Sequence, residues 1–170
     1  MRVYIPATLA MLQQLVADGS FQPLSGTAFA VTPTLRESYA EGDDEELAEV
    51  AIGEAALASL RLLAAEAVPS DPSSQGLPLR RAVVIADAEA TVRPDLDDAV
   101  VRVSGRVNLN RVAAAYVDNA EAEPAVKAAI AVIDEADLGD EDAEFVVGDA
   151  QDHALAWYAT QELPFLLDLL

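Results

Sequence analysis

The sequence predicts a single layered α+β (or α/β) domain, a mixed sheet of about five strands packed with helices. Three observations lead there. The chain has 170 residues, the size of one ordinary domain. Short apolar runs bounded by Pro and Gly alternate with longer stretches of helical periodicity, in the order β-α-β-α-α-β-β-α-α-β-α. Hydrophobic residues make up 52% of the chain but aromatic residues only 5%, so the core should be aliphatic. At this length folding buries roughly 70% of the unfolded surface, enough for a core without disulfides or metals.

Taken in order, residues Arg2 to Ile5 read as a strand that Pro6 stops. Thr8 offers an N-cap to a helix carrying Leu9, Leu12, Leu15 and Val16, and Gly19 its C-terminal cap. Thr27 to Thr32 reads as a second strand, ended by Pro33. Thr34 and Glu37 have capping-box spacing for a short helix. Asp43-Asp44-Glu45-Glu46 opens the longest helix, reaching about Ala67 with a stripe of Val50, Leu57, Leu60, Leu63 and Ala64; Gly53 within it is read as a close approach. A Pro/Ser-rich loop spans 68–79, a length that marks loops of functional interest.

The run Ala82 to Ala86 is apolar throughout, as in a strand covered on both faces. Val100 to Val103 is another strand. Asn108 is read as the cap of a helix bearing Leu109, Val112, Ala113, Tyr116 and Val117, the cleanest helical periodicity in the chain. Pro124 suits the first turn of the next helix, which buries Val126, Ala129, Ile130 and Ile133. Phe145 to Val147 reads as the final strand. Asp149 starts a last helix with Leu155, Tyr158, Ala159 and Leu163, interrupted by Pro164 before an apolar tail at 164–170. No linker divides the chain, so 1–170 is expected to be one domain.

Composition narrows the function classes. The absence of cysteine excludes disulfides, thiolate metal sites and cysteine nucleophiles. The N-terminus enters a strand with no signal-peptide pattern, and no apolar stretch is long enough to span a bilayer, so the expected location is cytoplasmic. Ten basic residues stand against thirty acidic ones, a formal net charge of −20. That field disfavours direct binding to nucleic acid or an anionic membrane and favours a basic protein surface as partner. Solubility alone is the plainer reading of the same charge.

Candidate chemistry is sparse. Val83-Val84-Ile85-Ala86-Asp87-Ala88-Glu89-Ala90-Thr91 places carboxylates at the end of an apolar strand. It resembles the nucleophile loop of haloacid-dehalogenase-like phosphatases, which implies Asp87 as nucleophile and Glu89 as proton donor. The second acid of that family is Asp, and the family also needs a lysine and a downstream acidic pair for magnesium; here the one lysine, Lys127, lies in an amphipathic helix. The acidic runs 41–46, 95–98 and 134–144 do not match a calcium loop, and helix capping and solvation account for them. His153 has no Ser or Cys partner pattern and is read as stacking on Trp157. No phosphate-binding glycine loop, nucleophile elbow or histidine metal motif is present, so no metal or cofactor is expected.

Two stretches, Met1 to Leu9 and Gly26 to Glu37, together with Gly42 to Leu47 and Ala58 to Leu63, resemble a family of small acidic conserved proteins from actinobacteria. The resemblance implies a bacterial origin and supplies no catalytic residues. The leading expectation is therefore a non-catalytic interaction or regulatory protein presenting an acidic surface. Its contact residues would be Asp43, Asp44, Glu45 and Glu46, with Phe165, Leu166 and Leu167 of the tail, which also offer a route to a homo-oligomer. The alternatives are a small metal-dependent, phosphatase-like hydrolase using Asp87, and a DNA mimic that binds a basic protein.

Overall fold

A computed structural model describes residues 1–39, 41–66 and 76–170. Most of the predicted 68–79 loop, residues 68–75, lies outside the described residues. Among the described residues, nine strands and six helices follow in chain order: β1 (Arg2–Ala7), α1 (Leu9–Asp18), β2 (Ser20–Phe21), β3 (Thr27–Phe29), α2 (Pro33–Ser38), α3 (Asp44–Glu66), β4 (Ala82–Asp87), β5 (Ala90–Val92), β6 (Val100–Val103), β7 (Val107–Asn108), β8 (Val112–Val117), α4 (Glu123–Asp137), α5 (Glu141–Gln151), β9 (Ala156–Ala159) and α6 (Leu163–Asp168).

Seven strands form one sheet in the order β5-β6-β3-β1-β4-β8-β9, and β2 pairs with β7 in a small second one. Every neighbouring pair is antiparallel, where the sequence predicted a mixed sheet of about five strands. The class is α+β. The register of β1 with β4 runs from Arg2 opposite Asp87 to Ala7 opposite Ala82. Pro6 therefore does not stop β1. It lies beyond the pairing with β3, which is centred on Tyr4 and Phe29, where a missing N–H is tolerated.

Alternation along the strands sorts the core into two faces. Val3, Ile5, Val84, Ala86, Val101, Val103, Ala115 and Val117 face α1 and α6 and pack with Leu9, Leu12, Leu15, Leu163 and Leu166. Tyr4, Phe29, Val83, Ile85, Val100 and Ala114 face α3 and pack with Leu47, Ala51, Ala55 and Ala56. A further apolar cluster joins Leu60 and Leu63 of α3 to Val126, Ala129 and Ile133 of α4 and Val147 and Ala150 of α5. Helix α3 thus packs on two sides, against the sheet and against α4. Buried Ser59 ties it to the sheet: its hydroxyl donates to the Ala7 carbonyl at 2.7 Å and accepts from the Ala82 N–H at 3.1 Å.

Several local expectations hold. Thr8 caps α1, Gly19 closes it with φ +75°, and Pro124 lies in the first turn of α4. Others are corrected. The segment after Asn108 is a short 3-10 turn and then strand β8, not a helix. Phe145 to Val147 belongs to α5, which buries Ala143, Val147 and Ala150 at helical spacing. Residues 156–159 are the edge strand β9, and Pro164 starts α6 instead of interrupting a helix. The cap of α2 is Thr32, whose hydroxyl accepts from Leu35 N–H at 3.0 Å, two residues ahead of the predicted Thr34. Helix α5 approaches Gly53, with Gln151 Nε2 donating to its carbonyl at 3.1 Å, but a Cβ there would meet nothing within 4 Å, so the approach does not require glycine.

Candidate functional site

Strand β4 carries Asp87 to the end of the sheet where β1 begins. There the β4–β5 turn, the β6–β7 loop and the turn before β8 enclose a cavity of about 530 Å³. Its wall includes Asp87, Glu89, Ser104, Arg106, Asn108 and Arg111. Backbone bonds hold the rim: Ala88 N–H donates to Met1 carbonyl at 3.0 Å, and Ser104 N–H to Glu89 carbonyl at 3.1 Å.

Asp87 faces this cavity but is not a free nucleophile. Register places it opposite Arg2, whose guanidinium donates to both carboxylate oxygens at 3.0 and 3.1 Å. The Arg2 hydrogen bonds, and at longer range the charge of Arg111, hold Asp87 below the usual carboxylate range. Among the described residues, no group of three or more His, Asp or Glu side chains is arranged to hold a metal ion. The site therefore offers an anchored carboxylate beside two arginines.

The arginines are the residues that sequence reasoning missed. Six of the nine arginines form ion pairs among the described residues: Arg2, Arg36, Arg61, Arg80, Arg81 and Arg93. The other three, Arg102, Arg106 and Arg111, lie within ten residues of chain, and two of them line this cavity. Such clustering in a chain so poor in cations was a legible signal. Arg106 is held in place by Ser20, donating to its hydroxyl at 3.0 Å and its carbonyl at 3.3 Å.

At the opposite end of β4 the polar groups serve the fold. Arg81 is 1% exposed and Asp118 0%. Arg81 donates from Nε and Nη2 to the two Asp118 oxygens at 2.9 and 2.7 Å, and further to Gln151 Oε1 and the His153 carbonyl. His153 thus lies in the turn after α5, bound through its backbone. Trp157 stands on β9 and is 56% exposed. A second cavity, about 420 Å³, opens beside this pair between α3 and Tyr116.

The acidic residues divide by location. Asp43 accepts from Glu46 N–H at 2.9 Å at the start of α3, and Asp44 meets Arg36 at 2.5 Å; Glu45 and Glu46 complete that exposed first turn. In the tail, Leu166 is buried against α1 and the sheet, Leu167 packs at its margin and Phe165 is 73% exposed. The densest acidic surface is elsewhere. Asp134, Glu135, Asp137, Asp140, Glu141, Asp142, Glu144, Asp149 and Asp152 are all exposed on the α4–α5 hairpin. Leu138, at 88% exposure, and Phe145 stand among them.

Residues 1–167 match a family described as a family of unknown function (DUF6912). No curated protein and no solved structure matches the chain.

Proposed function

The chain belongs to the DUF6912 family, and from that premise we propose that it is a non-catalytic interaction protein whose α4–α5 hairpin docks onto a basic protein surface in the bacterial cytoplasm. One observation carries this reading. From residue 128 to 170 the chain has eleven Asp and Glu and no Lys or Arg, and nine of those acids line one exposed helical hairpin. Helix stability accounts for only some of them. Asp140 caps α5, and Glu141, Asp142 and Glu144 lie in its first turn, where the helix dipole favours them. Asp134 and Glu135 sit in the last turns of α4, where the dipole opposes them; Asp137 there is paired with Arg61. Phe145 and Leu138 add exposed apolar contact area within the acidic field.

Affinity capture with the full chain tests this, run beside a variant carrying Asp134→Asn, Glu135→Gln, Glu141→Gln, Asp142→Asn and Phe145→Ala. The expected result is a basic protein retained by the native chain at about 0.1 M salt, released near about 1 M, and not retained by the variant. Equal retention by both chains would overturn the reading. Competition by duplex DNA for the same partner would identify the interaction as mimicry of DNA.

A further inference from the structure

We propose that the cavity at the Asp87 end of the sheet binds a small phosphate-bearing molecule that also carries an ammonium or hydroxyl donor. The inference rests on charge placement. In a chain of net charge −20, most arginines are neutralised by partners, yet Arg106 and Arg111 converge on one concavity with no carboxylate paired to either among the described residues. A cavity of about 530 Å³ is the size that small-molecule sites occupy.

The donors favour phosphate over carboxylate. A carboxylate is satisfied by one guanidinium fork. This wall offers two guanidiniums, the Ser104 hydroxyl and the Asn108 amide, a set that suits a group with three outward oxygens. Arg106 is preorganised, because Ser20 holds its Nε and one terminal nitrogen and leaves the other without a partner among the described residues. Arg2 pins the Asp87 carboxylate, so that carboxylate does not fold over to neutralise the arginines. Glu89 is the acid on the rim without a side-chain partner among the described residues. It would repel a bare phosphate and attract a donor group attached to one, which is why the ligand is assigned both.

The test titrates inorganic phosphate, phosphoethanolamine and acetate into the full chain at constant ionic strength, followed by NMR of backbone amides and arginine Nε–H groups. Phosphate should give saturable shifts centred on Ser104, Arg106 and Arg111. Arg111→Ala, which removes no side-chain hydrogen bond among the described residues, should weaken phosphate about tenfold or more, as expected for loss of a charge-assisted contact. Arg93→Ala, outside the cavity, should leave affinity unchanged. Phosphoethanolamine should bind more tightly than phosphate, and Glu89→Gln should abolish that advantage. No saturable shifts with phosphate, unchanged affinity in Arg111→Ala, or acetate binding as tightly as phosphate would each overturn the proposal. These outcomes are independent of the α4–α5 surface.

Discussion

Asp118 and Asp87 are two carboxylates paired with arginine, and their surroundings give them different weight. The Arg2–Asp87 pair is about half exposed on both sides, where ion pairs contribute roughly 0–1 kcal/mol. Asp118 is fully enclosed, bound to the Arg81 backbone N–H at 2.8 Å as well as to its guanidinium. Removing one partner of such a pair strands the other charge in a dry interior. Asp118→Asn should therefore destabilise the fold by about 3–5 kcal/mol in urea unfolding. A loss below about 1 kcal/mol would show that the guanidinium finds other acceptors. Neither carboxylate's partner was legible in the sequence, because Arg2 and Asp87 are brought together only by the register of β1 on β4.

At the scale of elements, the misread segments have two causes. A strand buried on both faces carries no polar residue to mark its period. Val112 to Val117 comes near this case, with Val112, Ala114, Ala115 and Val117 buried, and its alanines fit a helix equally well. Alternation works where one face differs from the other, as in β1, with Tyr4 set against Val3 and Ile5. Helix α5 was hidden in the opposite way, since Phe145-Val146-Val147 has strand-forming composition although only Val147 is buried. The caps of α1 were legible, because Thr8 and Gly19 act on their immediate neighbours, whereas the cap of α2 was misplaced by two residues. The turn into β3 is a stricter case. Gly26 has φ +70°, and a Cβ there would lie 2.9 Å from the Val103 carbonyl and 2.9 Å from Arg102 Cδ. Gly26→Ala should cost more than about 1 kcal/mol and loosen the β3–β6 pairing in hydrogen exchange. Native protection of Val101 and Arg102 in that variant would refute the assignment.

Across the whole molecule the charge is polarised. The cavity with its arginines lies at the C-terminal end of β4, while α4 leaves from the opposite end of the sheet, after β8. Net charge −20 implies self-repulsion that protonation relieves. Glu54 adds a specific term: burial, chiefly, and the nearby Asp97 push its carboxyl above the usual range, against the pull of Arg61. Its folded-state pKa is raised, so the folded protein takes up protons more readily and gains stability as pH falls through that value. Asp87, Asp95 and Asp137 are held low by Arg2, Arg93 and Arg61. Their contribution is present above the ordinary carboxylate value and lost as pH falls through the lowered one. Tm should therefore rise from pH 7 to about 5 and fall below about 4. Glu54→Gln should flatten the first limb. A Tm that declines steadily from pH 7 would contradict this balance.

The sequence by itself determined the α+β class, the aliphatic core, the two caps of α1, and the net charge. These depend on composition and on residues close along the chain. The tertiary structure alone decided that all neighbouring strands run antiparallel, that residues 112–117 and 156–159 are strands, and that Asp87 meets Arg2. It also decided which acids are spent on capping and which arginines are left facing a cavity. Those outcomes depend on strand register and on packing between residues far apart in the chain, which no local pattern of side chains encodes.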